Sequence, residues 1–287
     1  MSDTPETLGD LVRAYLDEQC TVLIDAEASL RDRESVVHPT RVAARRLRST
    51  LRTYAEVVDV PRAGALTDEL RWFAGLLGEI RDREVLEKRL LADLAELPPE
   101  VVIGPIANQI TEELTTGRGA AWDVVQAELD GDRYQALLAE LRRWRSDPPL
   151  TDEAEAPAAK VKKYVKKANK KLDKRLDRAI EAHLTGDAEA EELLHDARKA
   201  GKRARYAVEL AAPFLGKKAD KIIAARKDLQ DVLGEHQDSI VAADFLRAEG
   251  VRIGIRSGHN GFTYGLLYGR ERARRDAIGD QLRPFLS

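Results

Sequence analysis

With 287 residues, of which 43% are hydrophobic and 5% aromatic, the chain is long enough for one large domain or two ordinary ones. Its single cysteine, Cys20, excludes an internal disulfide framework, and no apolar run reaches the roughly 18 residues that a membrane span needs. The acidic N-terminal segment has no apolar signal core, so we expect a cytoplasmic protein.

Apolar residues recur at helical spacing through nearly the whole chain. We predict helices over residues 5–30, 39–60, 64–96, 106–129, 133–145, 158–184, 188–215 and 218–248, and a last one from 261 onward. Gly117 and Gly119 are positions where the fourth helix could be interrupted. No segment shows the sustained alternation of a strand, so the predicted fold class is all-α, with antiparallel helices joined by short loops.

One basic motif occurs twice. HPTRVAARRLR begins at His38 and HDARKAGKRAR at His195, and in both copies basic side chains follow the histidine by 3, 7, 8 and 10 residues. A Leu-Gly-Glu triplet with a nearby aspartate follows 39 and 38 residues after the histidines, in LGEIRD from Leu77 and LGEHQD from Leu233. Two motifs in the same order and at nearly the same separation indicate an internal duplication, with a period of 157 residues between the histidines.

The duplication predicts two similar halves joined face to face. Residues 147–157 contain prolines and acids without an apolar period, so we interpret them as a linker. The N-terminal helical bundle would then span residues 1–146, and the C-terminal bundle residues 158–287.

The formal net charge of −3 hides a strong segregation of charge. The segments 38–52, 160–178 and 195–209 together hold 20 Lys/Arg and 4 Asp/Glu, a net charge of +16. The rest of the chain holds 27 Lys/Arg and 46 Asp/Glu, a net charge of −19. This arrangement concentrates positive potential on an otherwise acidic body and favours a polyanionic ligand.

The spacing of the bases places them along one face of each motif helix. A residue advances by about 100° around a helix, so positions 0, 3, 7, 10 and 14 fall within an arc of roughly 80°. The first stripe consists of His38, Arg41, Arg45, Arg48 and Arg52, and the second of His195, Arg198, Lys202 and Arg205. Like charges at this spacing oppose helix formation. We therefore expect carboxylates after each Leu-Gly pair to orient some arginines, while other arginines face an anionic ligand.

A lysine-rich helix is the third basic stretch. Its lysines recur at a spacing of three or four residues, at positions 160, 163, 167, 170 and 174, with few acids between them. A solvated helix face usually mixes charges of both signs. We favour contact with a polyanion, and a merely solvated face is the alternative.

Together these elements resemble the signature of the CHAD family, the conserved histidine α-helical domain. The resemblance rests on the His-x-x-Arg entry, the basic run after it and the LGEIRD and LGEHQD segments, and it spans roughly residues 6–286. It implies a stand-alone CHAD protein with two pseudo-symmetric helical bundles, whose basic faces meet at a central groove or cavity and bind inorganic polyphosphate. The residues expected to bind it are His38, Arg41, Arg45, Arg46, Arg48, Arg52, Lys163, Lys167, Lys170, Lys171, Lys174, His195, Arg198, Lys199, Lys202, Arg203 and Arg205.

For His38 and His195 two roles stay open. A protonated imidazole would donate to phosphate, whereas a structural histidine would make a hydrogen bond near the helix start.

We expect no catalysis, no metal and no cofactor. The sequence has no HExxH-type ligand run, no second cysteine and no phosphate loop ending in Gly-Lys-Ser/Thr. It also lacks the Glu-x-Glu-x-Lys signature of the triphosphate-tunnel domain to which CHAD domains are often fused.

The alternative functions are binding of nucleic acids and scaffolding of acidic proteins. Basic helices attract any phosphate chain, but base stacking needs exposed rings, and the basic stretches offer only Tyr164 and Tyr206. In the cytoplasm, polyphosphate binding would allow association with polyphosphate granules. The sequence leaves the chain-length preference and the oligomeric state open.

Overall fold

The computed structural model describes residues 5–34, 36–255 and 260–285. Its α-helices are α1 (Leu8–Arg31), α2 (Val37–Thr53), α3 (Val60–Ala95), α4 (Ile106–Leu129), α5 (Asp132–Ser146), α6 (Val161–Thr185), α7 (Ala190–Leu215), α8 (Lys217–Gly254), α9 (Phe262–Asp276) and α10 (Ile278–Leu282). Within these ranges two isolated β-bridges occur and no strand. The all-α prediction is confirmed. None of the described helices has the length and apolarity needed to cross a membrane.

Short polar motifs set where the helices begin. Thr7 caps α1, because its hydroxyl accepts from the Asp10 N–H at 3.1 Å and the Asp10 carboxylate accepts from the Thr7 N–H at 2.9 Å. Asp59 caps α3 in a similar way, with Pro61 in the first turn of that helix. The predicted second helix was therefore too long: α2 ends at Thr53, and Pro61 opens α3 instead of closing α2.

Helix α4 runs through Gly117 and Gly119 without a break, so the expected interruption is wrong. A Cβ atom added at Gly117 would lie 2.6 Å from Nε of Arg83 on α3. The glycine makes room for that arginine between the two helices.

Three hydrophobic clusters hold the described helices together, and two of them join the two halves of the sequence. The largest cluster contains buried residues of every helix from α1 to α6, and it reaches Ala207 and Val208 of α7. Another packs the end of α3 and the start of α4 against α8 and α9. The third combines α6, α7, α8 and α10.

The segment predicted as a linker lies against the first bundle. The Asp59 N–H donates to the carbonyl of Pro149 at 2.8 Å, and the Leu8 N–H donates to the carbonyl of Ala156 at 2.8 Å. Residues 147–157 therefore connect the two motif-bearing halves without separating their cores.

Helices α2 and α7 lie against each other at the centre of the molecule. Tyr54 directly follows α2, and its hydroxyl donates to the carbonyl of Ala207 at 2.9 Å. The centroid of the Tyr54 ring lies 4.9 Å from that of Tyr164. Helix α3 packs on α2, and α8 packs on α7. The two helices that carry the His motifs are thus flanked by the two that carry the Leu-Gly-Glu motifs.

Candidate functional site

A cavity of about 760 Å³ opens between α2, α3, α7 and α8. Eleven Lys/Arg side chains and two histidines line it, against the two carboxylates of Asp82 and Asp238. The basic lining residues are His38, Arg41, Arg45, Arg48 and Arg52 from α2, Arg71, Arg81 and Arg89 from α3, and His195, Arg198, Lys199, Lys202 and Arg203 from α7. Stripes that are 157 residues apart in sequence therefore face one space.

The basic stripes face the cavity because the opposite faces of their helices are buried. Helix α2 buries Ala43, Leu47 and Leu51 in the main core. Helix α7 buries Ala197, Ala200 and Ala204. Since side chains at three- and four-residue spacing share a face, this burial turns both stripes away from the core.

The first Leu-Gly-Glu motif positions Arg41. Gly78 lets the Arg41 guanidinium lie directly on α3, where a Cβ atom at position 78 would be 3.1 Å from Nη1. There Nη1 donates to the carbonyl of Leu77 at 3.3 Å and to the Asp82 carboxylate at 3.1 Å. The glycine and the aspartate of this motif thus both serve one arginine.

The second Leu-Gly-Glu motif, at Leu233, makes different contacts from the first. A Cβ atom at Gly234 would meet open space, so no arginine lies over that glycine. Asp238 makes no ion pair within the described ranges, and burial raises its pKa although Arg198 and Arg89 lower it. The Glu235 carboxylate lies 2.6 Å from Nη2 of Arg89, which belongs to α3 and to neither basic stripe. The expectation that acids after the Leu-Gly pairs orient stripe arginines therefore holds for Asp82 and Arg41 but not, in the described ranges, for the second motif.

Arg89 is the cavity arginine most firmly held by carboxylates. Besides Glu235, it binds the fully buried Glu271 of α9 at 2.7 Å and the hydroxyl of Ser239 at 2.9 Å. Its side chain joins α3 to α8 and α9 at the edge of the cavity. We therefore assign Arg89 a structural role rather than ligand contact.

Six other cations of the cavity lack such partners. The lining residues that form no ion pair in the part of the chain that the structure describes are Arg45, Arg48, Arg52, Arg198, Lys202 and Arg203. The Nε atoms of Arg48 and Arg198 are also buried without a hydrogen-bond partner. Buried donors without acceptors are costly, so an anion that reaches them gains favourable contacts.

The titration of the lining groups reflects the same crowding of positive charge. Burial and the charges of Arg198 and Arg45 lower the pKa of Lys202 to about 7. Burial, followed by repulsion from Arg52 and Arg71, lowers the pKa of Arg48. In each case burial is the main reason why the charged form is disfavoured, and the neighbouring cations add to it.

The two motif histidines differ in their contacts. His38 is exposed at the cavity edge, in the first turn of α2, and no side chain caps that helix. Burial and the nearby Arg81 and Arg45 lower its pKa. His195 has Nδ1 at 2.8 Å from Oε1 of Gln237, so its ring is oriented by α8. Both rings line the cavity.

Two predicted binding residues lie behind the cavity, where α2 meets α7. Arg46 Nε binds Glu209 at 2.8 Å, and Arg205 Nε lies 3.4 Å from the same carboxylate. The Tyr15 hydroxyl donates to Glu209 as well, at 3.1 Å. The Arg46–Glu209 pair joins α2 to α7, whereas the Arg205–Glu209 pair lies within α7. The role of both arginines in binding stays a prediction.

The predicted lysines of α6 also lie outside the cavity lining. Lys163 and Lys167 are 3.2 and 3.6 Å from the carboxylate of Glu56. Lys170, Lys171 and Lys174 are exposed on the same helix. Their contact with a ligand likewise stays a prediction.

The sequence reasoning missed the contribution of α3. Arg71, Arg81 and Arg89 line the cavity, although Arg71 also pairs with Asp68 at 3.1 Å and Arg81 with Glu84 at 3.0 Å. A signal was present, because Arg71, Gly75, Gly78, Asp82, Val85 and Arg89 follow one another at alternating spacings of four and three residues.

Comparison with known proteins gives a family match and two kinds of relatives. A family model, the CHAD domain, matches residues 14–247. The uncharacterized proteins MT2285 and Rv2226 of Mycobacterium tuberculosis, from strains CDC 1551 and H37Rv, are each 31% identical over 288 residues. That alignment covers 98% of this chain and 53% of each relative, so the chain spans about half the length of the curated relatives it matches.

Two solved structures have a similar fold. PptA from Streptomyces chartreusis matches with a TM-score of 0.80 at 22% identity, over 98% of this chain and 99% of its own. The CHAD domain from the plant Ricinus communis matches with a TM-score of 0.70 at 25% identity, over 98% and 93% of the two chains.

Proposed function

The chain belongs to the CHAD domain family, and from that premise we propose that it binds inorganic polyphosphate, without catalysis, in the cavity between α2, α3, α7 and α8. The observation that carries the proposal is the excess of cations there: of the eleven lining Lys/Arg, six form no ion pair in the described ranges. Asp82 is already paired with Arg41. A polyanion would supply the missing negative charge and accept hydrogen bonds from guanidinium groups, whose planar forks match phosphate oxygens.

The chemistry of the lining favours a phosphate chain without bases. Tyr206 is the only Phe, Tyr or Trp among the described lining residues, and it is buried, with the guanidinium groups of Arg46 and Arg205 near its ring. Recognition of single-stranded nucleic acid relies on exposed rings on which bases stack. The cavity offers electrostatic contacts and no such platform.

The test is a titration with long-chain polyphosphate, single-stranded DNA and duplex DNA at equal phosphate concentration and physiological salt. We expect tight binding of polyphosphate and much weaker binding of both DNAs. Similar affinity for all three would refute a polyphosphate-specific cavity and favour a general nucleic-acid surface. Incubation with polyphosphate should release no phosphate, and release would contradict the non-catalytic part.

A triple variant tests the location of the site. Changing Arg45, Arg48 and Lys202 to Gln should reduce the slope of log affinity against log salt by about 2–3, since each lost phosphate contact contributes about 0.7–0.9. Removing mutually repelling charges should leave the free protein at least as stable. The matched control changes the exposed Arg62, Lys218 and Lys227 to Gln, and its slope should stay near that of the wild type. Equal losses in both variants would show that only total charge matters.

A further inference from the structure

Lys202 is a cavity lysine without a carboxylate partner. Arg198 precedes it by four residues and Arg205 follows it by three, so the three side chains share one face of α7. Arg45 of α2 lines the same cavity, and the charges of Arg198 and Arg45 both act on the Lys202 amine. Asp238 of α8 is a nearby carboxylate, but no ion pair joins it to Lys202 in the described ranges.

A buried donor one helical turn from Lys202 lacks an acceptor. Nε of Arg198 is buried and has no hydrogen-bond partner in the described part of the chain. Arg205, one turn further along α7, has the carboxylate of Glu209 at 3.4 Å from its Nε. Side chains four residues apart on a helix lie next to each other. An anionic group on the end of the Lys202 side chain would therefore supply the acceptor that Arg198 lacks.

The Lys202 amine is also a better nucleophile at neutral pH than an ordinary lysine. Burial, and then the charges of Arg198 and Arg45, lower its pKa to about 7. At pH 8 about 90% of such amines are neutral, roughly 200-fold more than for a lysine with a pKa of about 10.4. Desolvation beside other cations activates lysine in this way, because only the neutral amine carries a free lone pair. Lys199 lines the same cavity but has its ammonium 2.6 Å from Asp196.

We propose that carbon dioxide modifies Lys202 as a carbamate, and that the modified cavity no longer binds polyphosphate. The nitrogen lone pair forms a bond to the carbon of CO₂, one C–O π bond opens onto oxygen, and a proton leaves the nitrogen for solvent. The balance is R–NH₂ + CO₂ → R–NH–COO⁻ + H⁺, where R is the Lys202 side chain, with no oxidant or reductant. The modification is independent of the proposed function, whereas its effect on polyphosphate rests on that function.

The surroundings of Lys202 favour the carbamate. Its oxygens can accept from Nε of Arg198, and a hydrogen bond between a guanidinium and an anionic oxygen is among the strong ones. The charge of Arg45 also favours an anion at this point. Asp238 opposes it, but burial already raises the pKa of that carboxyl, which disfavours its charged form.

The carbamate and polyphosphate should exclude each other. Carbamate formation replaces a basic side chain by an anion, which repels phosphate oxygens. Polyphosphate in turn favours the protonated amine, which does not react with CO₂. By linkage, each lowers the affinity for the other by the same factor. The cavity would then bind polyphosphate less tightly as dissolved CO₂ rises.

The first test locates the carbamate in the absence of polyphosphate. The protein is incubated with isotopically labelled bicarbonate at pH 8, carbamates are trapped as ethyl esters with a trialkyloxonium salt, and the label is located by peptide mass spectrometry. We expect label at Lys202, and much less at Lys199 or at the exposed Lys166. Arg198→Gln should lower the labelled fraction, since it removes both the partner and the repulsion. An unlabelled Lys202, or equal labelling of all three lysines, would overturn the modification.

The second test measures the coupling. Polyphosphate is titrated at fixed pH and ionic strength, with chloride replaced by bicarbonate. The affinity of the wild type should fall in proportion to the unmodified fraction, about twofold when half of Lys202 is labelled. Lys202→Arg forms no carbamate and reports direct competition by bicarbonate, so its affinity should change less than that of the wild type. Equal changes in both proteins would refute the coupling.

The outcomes separate this inference from the proposed function. If wild-type protein binds no polyphosphate even without bicarbonate, the proposed function is wrong, and a label at Lys202 still establishes the carbamate. If polyphosphate binds and Lys202 carries no label, the carbamate is wrong and the proposed function stands.

Discussion

The proposed binding of polyphosphate should depend on pH through Lys202, in a pH range where an ordinary lysine does not titrate. The Lys202 amine lies in the cavity near the charges of Arg198 and Arg45, with Asp238 as the nearby carboxylate. Burial and the arginine charges lower its pKa to about 7, from about 10.4 for a lysine in water. In the free protein Lys202 is therefore largely neutral at pH 9.

Two opposite pH dependences follow. In the unfolded chain the lysine keeps its proton up to about pH 10, so the free protein gains stability from this group as pH rises from 7 to 10. A polyphosphate bound as proposed should raise the pKa of Lys202 back toward its ordinary value, so that binding takes up a proton. Affinity should then fall as pH rises. The loss approaches about tenfold, or 1.4 kcal/mol, per pH unit, and it amounts to roughly 50-fold between pH 7 and 9.

Titration calorimetry in buffers of different ionisation enthalpy measures this proton uptake directly. The matched variant is Lys202→Arg, because a guanidinium stays charged and keeps the phosphate contact without titrating. We expect uptake of nearly one proton at pH 8.5 in the wild type, and less in the variant by about that amount. The pKa of His38 is lowered from its ordinary value, so its ring is neutral in this range. Titration of the ligand itself is common to both proteins.

The refuting result is clear. If wild type and Lys202→Arg lose affinity in parallel between pH 7 and 9, Lys202 is already charged in the free cavity. The conclusion that burial and neighbouring cations keep Lys202 neutral in the free cavity would then be wrong.

Two further predictions concern how the cavity walls are held. Gly234→Ala should raise stability by about 0.5–1 kcal/mol, since its Cβ meets open space in a helix. Gly78→Ala should gain clearly less in thermal unfolding followed by circular dichroism, because its Cβ crowds the guanidinium of Arg41. Equal gains in both variants would contradict the different roles of the two motifs. Arg89→Met should cost about 3–5 kcal/mol in denaturant unfolding, because it removes a partner of the buried Glu271. A loss below about 1 kcal/mol would show that Arg274 alone compensates that carboxylate.

Much of the fold follows from local patterns in the sequence. The predicted helix over 106–129 coincides with α4, and most other helices begin or end within a few residues of their predicted bounds. The stripes of basic residues were also predictable, because side chains three and four residues apart share a face in any helix. Errors arose where a glycine or proline serves packing or capping, as Gly117 and Pro61 do.

Tertiary structure decides which cations remain free for a ligand. Arg45 and Arg46 are neighbours in sequence with the same chemistry, yet Arg45 lines the cavity and Arg46 binds Glu209, a residue 163 positions away. Helix α3 likewise adds Arg71 and Arg81 to the lining, and nothing in the His motifs predicts this contribution. The periodicity of a helix is a property of one short segment, and the sequence therefore determines which face is basic. The pairing of each charge depends on carboxylates brought from distant segments, and only the packing of α2 on α7 and of α3 on α8 places them.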